Sequence, residues 1–417
     1  MKLNTTKSSI QKKDRSAELS FETKYLHSLD CRFPPSAYNV RISRQLLLGL
    51  TGISISALRL AEKRGALAPA RHEFSSDSRR VSYEPKDVEK ILDRRNKSFG
   101  QSTGNAEVIA LWSVSKTCGK AAFVQQLSSL LSLAAPKGVL VIDLDPHALC
   151  SSAMNFDPET EYYTFDEFDI TSANRRYFQR LQSANDYPDL LAEPSHYLHH
   201  LIRRLSPTLS IFENDFSFDE LNSSFSEVFF GEKQVDSNEE RASMKIRSIK
   251  EVIARFKRHF DFIILDCPAS LGPLFASALS AADRLMIPVE FDSMAERTIA
   301  TNAKFLQCLQ EFESDFRPKK VHVVLNKIGK LSRATKALYR LEEICERSDE
   351  LSLSSVLIPR LSLVENGLTL RFPVFLVADK NPELTKRQVS QARIFTNLLW
   401  IALHELLDRN QPDMVFN

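Results

Sequence analysis

Two five-residue stretches, Val139-Leu140-Val141-Ile142-Asp143 and Phe262-Ile263-Ile264-Leu265-Asp266, are apolar until each stops on an aspartate. A strand without polar alternation has no face to offer water, so it must be covered on both sides. Val108 to Trp112, Arg284 to Val289 and Val321 to Leu325 are further strand candidates, and an apolar-periodic helix is expected from about Ala121 to Leu133. Buried strands alternating with helices predict an α/β fold: a mostly parallel sheet with helices on both faces. Carboxylates at strand ends stand where open α/β sheets place ligands. Residues 151–255, rich in Phe, Tyr, Ser and charge, read as a variable helical region around that sheet, and no internal repeat is visible.

The chain has 417 residues, enough for two or three domains. Its six cysteines (Cys31, Cys118, Cys150, Cys267, Cys308 and Cys345) are scattered and form no CxxC, so neither a zinc site nor a disulfide framework is indicated. No apolar stretch reaches membrane-spanning length, and none follows Met1 as in a signal peptide. A cytoplasmic protein is the expectation. The net charge of +2 identifies no partner, so local charge carries that question. Only 11 glycines are present, well below the average usage of about 7%.

Residues 1–35 are read as a polar arm or short helix, 36–97 as a compact basic unit, 98–106 as a Ser/Gly/Asn-rich linker, and 107–417 as the α/β domain. Within the basic unit, Arg41 to Leu50 predicts one helix and Ile53 to Arg64 a second, with Ser at its start and Gly65 at its end. Two short helices across a Gly-containing turn make a helix-turn-helix pattern. Arg79-Arg80-Val81-Ser82-Tyr83 reads as a β wing, and Pro85 opens another helix. The unit holds thirteen Lys and Arg against seven Asp and Glu, which suits phosphate. Ser54, Ser56 and Arg59 are candidates for base edges; Arg79 and Arg80 are candidates for phosphates. The alternative is a small helical domain with a solvated basic face.

The order of these elements resembles the MerR-like winged helix-turn-helix at the front of large ParA partition proteins. The α/β half resembles the same family over several motifs, with the likeness running through roughly residues 40–405 and weakest across 151–255. Val139 to Pro146 matches the family's V-L-x-I-D-L-D-P segment, with His147 in place of the usual Gln. Phe260 to Gly272 matches its Walker B segment. Ala281-Ala282-Asp283, Ile287-Pro288-Val289 and Ile358-Pro359-Arg360 follow in family order, and Pro373-Val374 holds its later proline. Gly119 and Lys120 fall on the last two positions of the deviant phosphate loop K-G-G-x-G/S-K, before a helix. The resemblance implies a P-loop NTPase-like domain binding ATP or ADP with Mg2+. Gly119, Lys120, Ala121, Ala122, Pro359 and Arg360 would lie at nucleotide. Asp266 and Asp143 would lie at magnesium, and Asp143 and Asp145 would orient the attacking water. Arg360, Arg371, Lys386 and Arg387 are candidates for sequence-independent DNA contact.

The phosphate loop departs from the family pattern. The signature lysine falls on Ser115, the paired glycines on Lys116 and Thr117, and the magnesium-binding threonine on Ala121. Lys116, one residue on, is the candidate to supply the missing lysine's charge. Three readings follow. The first is a plasmid partition ATPase that dimerises on ATP, binds operator and bulk DNA, represses its own transcription and answers to a ParB-like partner. The second is a DNA-binding pseudo-ATPase with hydrolysis weak or lost. The third is a MinD-like membrane-positioning protein, suggested by the apolar stretch Ile394 to Leu407. That stretch has few basic residues, so packing on the sheet is expected instead.

Overall fold

The computed structural model describes residues 42–51, 53–67, 71–75, 78–83, 85–94, 105–133, 135, 137–145, 149–154, 202–206, 209–212, 253–254, 256–269, 273–312, 316–329, 335–348, 351–361, 364, 373–374 and 385–409. Residues 1–35 and 98–104, both named in the sequence reading, lie outside them, as does most of 151–255.

The N-terminal elements are β1 (Ile42–Ser43), α1 (Arg44–Thr51), α2 (Ile55–Lys63), β2 (Arg71–Ser75), β3 (Ser78–Tyr83) and α3 (Pro85–Arg94). Ser54 caps α2 by accepting the Ala57 amide at 3.2 Å, and Gly65 ends it at φ +67, a left-handed backbone that glycine adopts without steric cost. Strands β2 and β3 form an antiparallel hairpin, with β1 added on the free side of β3. The expected wing is therefore one arm of a hairpin. The first helix starts at Arg44, because Ile42 and Ser43 pair with Tyr83 and Ser82.

The rest of the chain forms β4 (Glu107–Leu111), α4 (Lys120–Leu133), β5 (Val139–Asp143), α5 (Leu149–Ala153), β6 (Ile202–Ser206), β7 (Leu209–Phe212), β8 (Phe262–Asp266), α6 (Pro273–Ala281), β9 (Arg284–Glu290), α7 (Ala295–Phe312), β10 (Lys320–Ile328), α8 (Thr335–Glu346), β11 (Leu351–Pro359) and α9 (Lys386–Leu406). Eight strands make one sheet in the order β11-β10-β9-β4-β8-β5-β7-β6. Neighbours are parallel except β6, which runs antiparallel to β7 at the edge. The helical reading of 151–255 fails at 202–212, where the chain supplies two strands. Ile202-Arg203-Arg204-Leu205-Ser206 mixes charge with apolar residues and lacks the unbroken apolar run of the central strands.

Alternation along the strands sorts the core into two layers. Ile109, Leu111, Val139, Val141, Ile264 and Met286 pack with Phe123 of α4 and with Phe395, Leu399 and Leu403 of α9. Val108, Ala110, Leu140, Ile142, Ile263, Leu265 and Ile287 pack with α6, α7 and α8 on the other face. Both faces are covered, as the unbroken apolar runs require. The apolar C-terminal stretch packs on the sheet, with Phe395 edge-on to Phe123 at 6.2 Å between centroids. Among the described residues, no helix is long and apolar enough to cross a membrane.

Helix α4 is buried along its whole length although, besides Lys120, five of its residues are polar. Those side chains find partners inside: Gln125 donates to the Ala153 carbonyl, Ser128 and Ser129 donate back to the Gln125 carbonyl, and Gln126 accepts the Val374 amide. Buried polar groups so paired cost little and fix one packing arrangement.

Candidate functional site

β4, β5 and β8 end at the same rim of the sheet, and the loop from Trp112 to Gly119 leaves that rim to enter α4. Gly119 has φ +87, and a Cβ built on it would lie 3.0 Å from the Asn326 side-chain nitrogen. Its carbonyl accepts the Phe123 amide at 3.1 Å, so this left-handed residue opens the first turn of α4. Lys120, the first helical residue, is 5% exposed. A cation and free N–H groups at a helix N-terminus form a seat for an anion.

The loop is held by side chains from three other elements. Asn302 of α7 accepts the Val114 amide at 3.2 Å, and Asn326 of β10 donates to the Cys118 carbonyl at 2.8 Å. Glu290, the last residue of β9, accepts the Thr117 hydroxyl at 2.8 Å. The Cys118 thiol faces inward, and burial pushes its pKa up. The sequence reading missed Asn302, Glu290 and Asn326; for the last two, a polar residue closing an apolar strand was the available signal.

Asp143 and Asp266 are register partners on β5 and β8, and both are buried. Asp143 accepts from the Ser151 amide at 2.8 Å, the Ser151 hydroxyl at 2.7 Å and the Asp145 amide at 3.1 Å. Burial still outweighs these bonds and raises its carboxyl to about 6. Asp266 is pushed up by burial and then by Asp143, while the Lys120 charge opposes the rise. One Asp266 oxygen, Oδ1, is buried with no hydrogen-bond partner. Asp145 is half-buried beyond the end of β5. Lysine and carboxylates that lie far apart in sequence thus converge at one rim.

An unpartnered carboxylate oxygen beside a buried lysine fits a hydrated cation carried in on phosphate. Among the described residues, no group of three His, Cys, Asp or Glu could hold a metal ion, so phosphate and water would have to complete the coordination. Ala121 and Ala122 are buried in the first turn and offer no hydroxyl. Lys116 is exposed on the loop, Thr117 is engaged by Glu290, and His147 lies outside the described residues. Arg360, after Pro359 at the end of β11, donates to Glu290 at 2.8 Å and so reaches the same corner as the loop. Asp283, in the Ala-Ala-Asp motif, stands at the opposite rim. It accepts the Val108 amide at 2.9 Å and the Lys257 ammonium at 3.0 Å, which is a role in strand alignment.

In the N-terminal elements, Ser54 and Ser56 share a hydroxyl contact of 2.9 Å, and Arg59 is exposed on α2. Because Ser54 caps the helix, its oxygen is already engaged. Tyr83 donates to Glu62 at 2.8 Å and accepts from Arg44 at 3.5 Å, tying β3 to α2 and α1. Arg79 and Arg80 lie on β3, with side chains outside the described residues. Lys386 and Arg387 are exposed in the first turn of α9, and Arg371 lies outside the described residues.

Residues 106–319, just over half of the chain, match the AAA domain family. A Sinorhizobium fredii protein described as a replication protein A is 27% identical over 286 residues, 64% of this chain and 62% of its own length. The chromosome-partitioning ATPase Soj of Treponema pallidum is 40% identical over 47 residues, 11% of this chain and 19% of its own. The chain therefore spans less than two thirds of the length of either relative. The structure of a Cyanothece McdA variant in complex with ATP covers 74% of this chain and 99% of its own, with a TM-score of 0.50 and 14% identity, a likeness of fold.

Proposed function

The chain belongs to the AAA domain family, in its ParA branch, and from that premise we propose that it is a nucleotide-switched DNA-segregation protein. In this reading ATP with Mg2+ binds at the β4–α4 loop, two copies associate on the nucleotide, and the N-terminal winged helix-turn-helix reads operator DNA. A ParB-like partner, autorepression and a plasmid as cargo belong to the same proposal, resting on the motif order and on the name of the Treponema relative. The carrying observation is Lys120 at the buried start of α4, close enough to Asp266 to oppose that carboxyl's rise.

The residues divide the work. Lys120 and the first-turn amides hold the phosphates, and Gly119 lets the backbone turn into the helix beside Asn326. Asp266 offers its unpartnered oxygen to the cation side, and Asp145, half-buried just beyond the end of β5, is the residue proposed to orient water. Magnesium, when bound, neutralises phosphate charge. Lys116 is proposed as the charge offered to a second copy, being exposed on the loop.

A second reading, binding without hydrolysis, is favoured by Ala121. A first-turn residue without a hydroxyl removes one ligand that would fix the cation against phosphate. The test is equilibrium binding of a fluorescent ATP analogue with and without magnesium, followed by phosphate release. Magnesium-dependent binding that Lys120→Ala abolishes, with turnover, supports the ATPase. Binding without turnover supports the second reading. No binding at millimolar ligand sinks both.

A further inference from the structure

We infer that Lys327 and Arg360 form a cationic seat for polyphosphate, which the carboxylate of Glu290 fills in the ligand-free protein. The inference rests on the nucleotide reading above and adds two residues to it, Lys327 and Glu290.

Glu290 closes β9 with its side chain only 15% exposed, and three donors from three segments converge on it. Arg360 donates to Oε1 at 2.8 Å, the Thr117 hydroxyl donates to Oε2 at 2.8 Å, and the Lys327 ammonium lies 3.8 Å from Oε2. Two cations and a hydroxyl from the phosphate loop thus surround one pair of anionic oxygens. That is the donor set a phosphate group recruits. It is assembled here around an internal anion at the mouth of the loop.

The position of Lys327 is not an accident of a flexible chain. Its backbone is left-handed, with φ 57, an uncommon state for a residue with a side chain. Asn326 holds it there by accepting the Lys327 amide at 2.8 Å, and the same Asn326 donates to the Cys118 carbonyl of the loop. Such conformations persist where the surroundings over-determine them. One asparagine therefore sets both the loop and the lysine beside it. The Phe291 amide, donating to the Asn326 carbonyl at 2.8 Å, ties the residue after Glu290 to the same point.

An incoming polyphosphate competes with Glu290 for Lys327 and Arg360, and Thr117 is released as the carboxylate gives way. The lost glycines at 116 and 117 fit this arrangement, because a threonine at 117 can be held by its side chain where a glycine cannot. Glu290 then sets affinity: its charge repels the ligand and occupies the ligand's partners.

The test compares wild type, Glu290→Gln and Thr117→Val for binding of the fluorescent ATP analogue and of inorganic pyrophosphate, with hydrogen exchange of the 113–119 amides in ligand-free protein. Glu290→Gln is expected to tighten both ligands by roughly fivefold to tenfold, as removal of one competing charge a few ångströms away implies. Arg360→Ala added to it should cancel most of that gain. Thr117→Val, which keeps every charge, should raise loop exchange and tighten binding by about twofold to threefold, the scale of one modest hydrogen bond. Equal or weaker binding by Glu290→Gln, with wild type binding, overturns the inference and leaves the nucleotide reading standing. No binding by any of the proteins overturns that reading and this inference together.

Discussion

Asp143 and Asp266 end neighbouring parallel strands as register partners, and the sheet withdraws both carboxyls from water. Two buried acids side by side oppose each other's ionisation. Burial raises Asp143 to about 6 and Asp266 well above its ordinary value. A folded-state pKa above the unfolded one means the folded protein holds the proton longer. The pair's contribution to stability is therefore greatest below the ordinary carboxyl range and falls as pH rises through that range to about 6 and beyond. Asp266→Asn should stabilise the ligand-free protein at pH 7.5 by about 1–3 kcal/mol, because an amide there has no charge to keep out of water or away from Asp143. The gain should shrink as pH is lowered from neutral towards about 4 and be gone below that. Urea denaturation of both proteins across pH checks this, and a variant less stable at neutral pH would refute it.

Gly119 is required twice, by its backbone and by its neighbour. At φ +87 a side chain is strained, and a Cβ there would meet the Asn326 nitrogen at 3.0 Å. Gly119→Ala should cost about 1–3 kcal/mol in thermal unfolding, typical of a side chain forced into such a conformation. Adding Asn326→Ala removes the contact but not the backbone strain, so the double variant should not return to wild-type stability. Full recovery would show that crowding alone explains the glycine.

The parts legible in sequence were those set by neighbours along the chain. Val139 to Asp143 and Phe262 to Asp266 declare themselves as covered strands because no residue before the aspartate tolerates water, and the aspartates mark the rim. Gly119-Lys120 could be placed only by its position after β4 and before α4. The strands at 202–212 were hidden because Arg203 and Arg204 break the apolar run that identifies a central strand, and an edge strand needs no such run. The bonds from Thr117 to Glu290 and from Cys118 to Asn326 join residues 173 and 208 positions apart, so no local pattern encodes them.

Glu405 ties the C-terminal helix to the sheet edge. Burial alone would raise its carboxyl, but hydrogen bonds from His322, Ser354 and Ser355 outweigh this and hold it at about 2. Because the folded pKa is depressed, the contribution is present above the ordinary carboxyl range and is lost as pH falls from about 4.5 to 2. Glu405→Gln should lower stability at pH 7 by about 1–3 kcal/mol, the worth of hydrogen bonds to a charged group. The two proteins should converge near pH 2. A constant difference across that window would mean the helix is held by something other than the charge.

Ser54 separates capping from base reading in the N-terminal unit. Its hydroxyl accepts the Ala57 amide at 3.2 Å, so Ser54→Ala should cost about 1 kcal/mol of stability, as loss of a helix cap does. An aspartate caps as well as a serine, so Ser54→Asp should restore stability while placing a negative charge at the start of α2. If α2 lies in a DNA groove, Ser54→Asp should be stable yet fail to bind operator DNA in fluorescence anisotropy. Ser56→Ala, which removes the 2.9 Å hydroxyl contact without removing the cap, should then weaken binding without lowering the melting temperature. Arg79→Ala with Arg80→Ala should weaken binding to every sequence and reduce the slope of log K against log salt by about 2, one for each lost phosphate contact. Stable Ser54→Asp protein that binds DNA like wild type would remove α2 from the interface and leave the basic unit as a solvated surface.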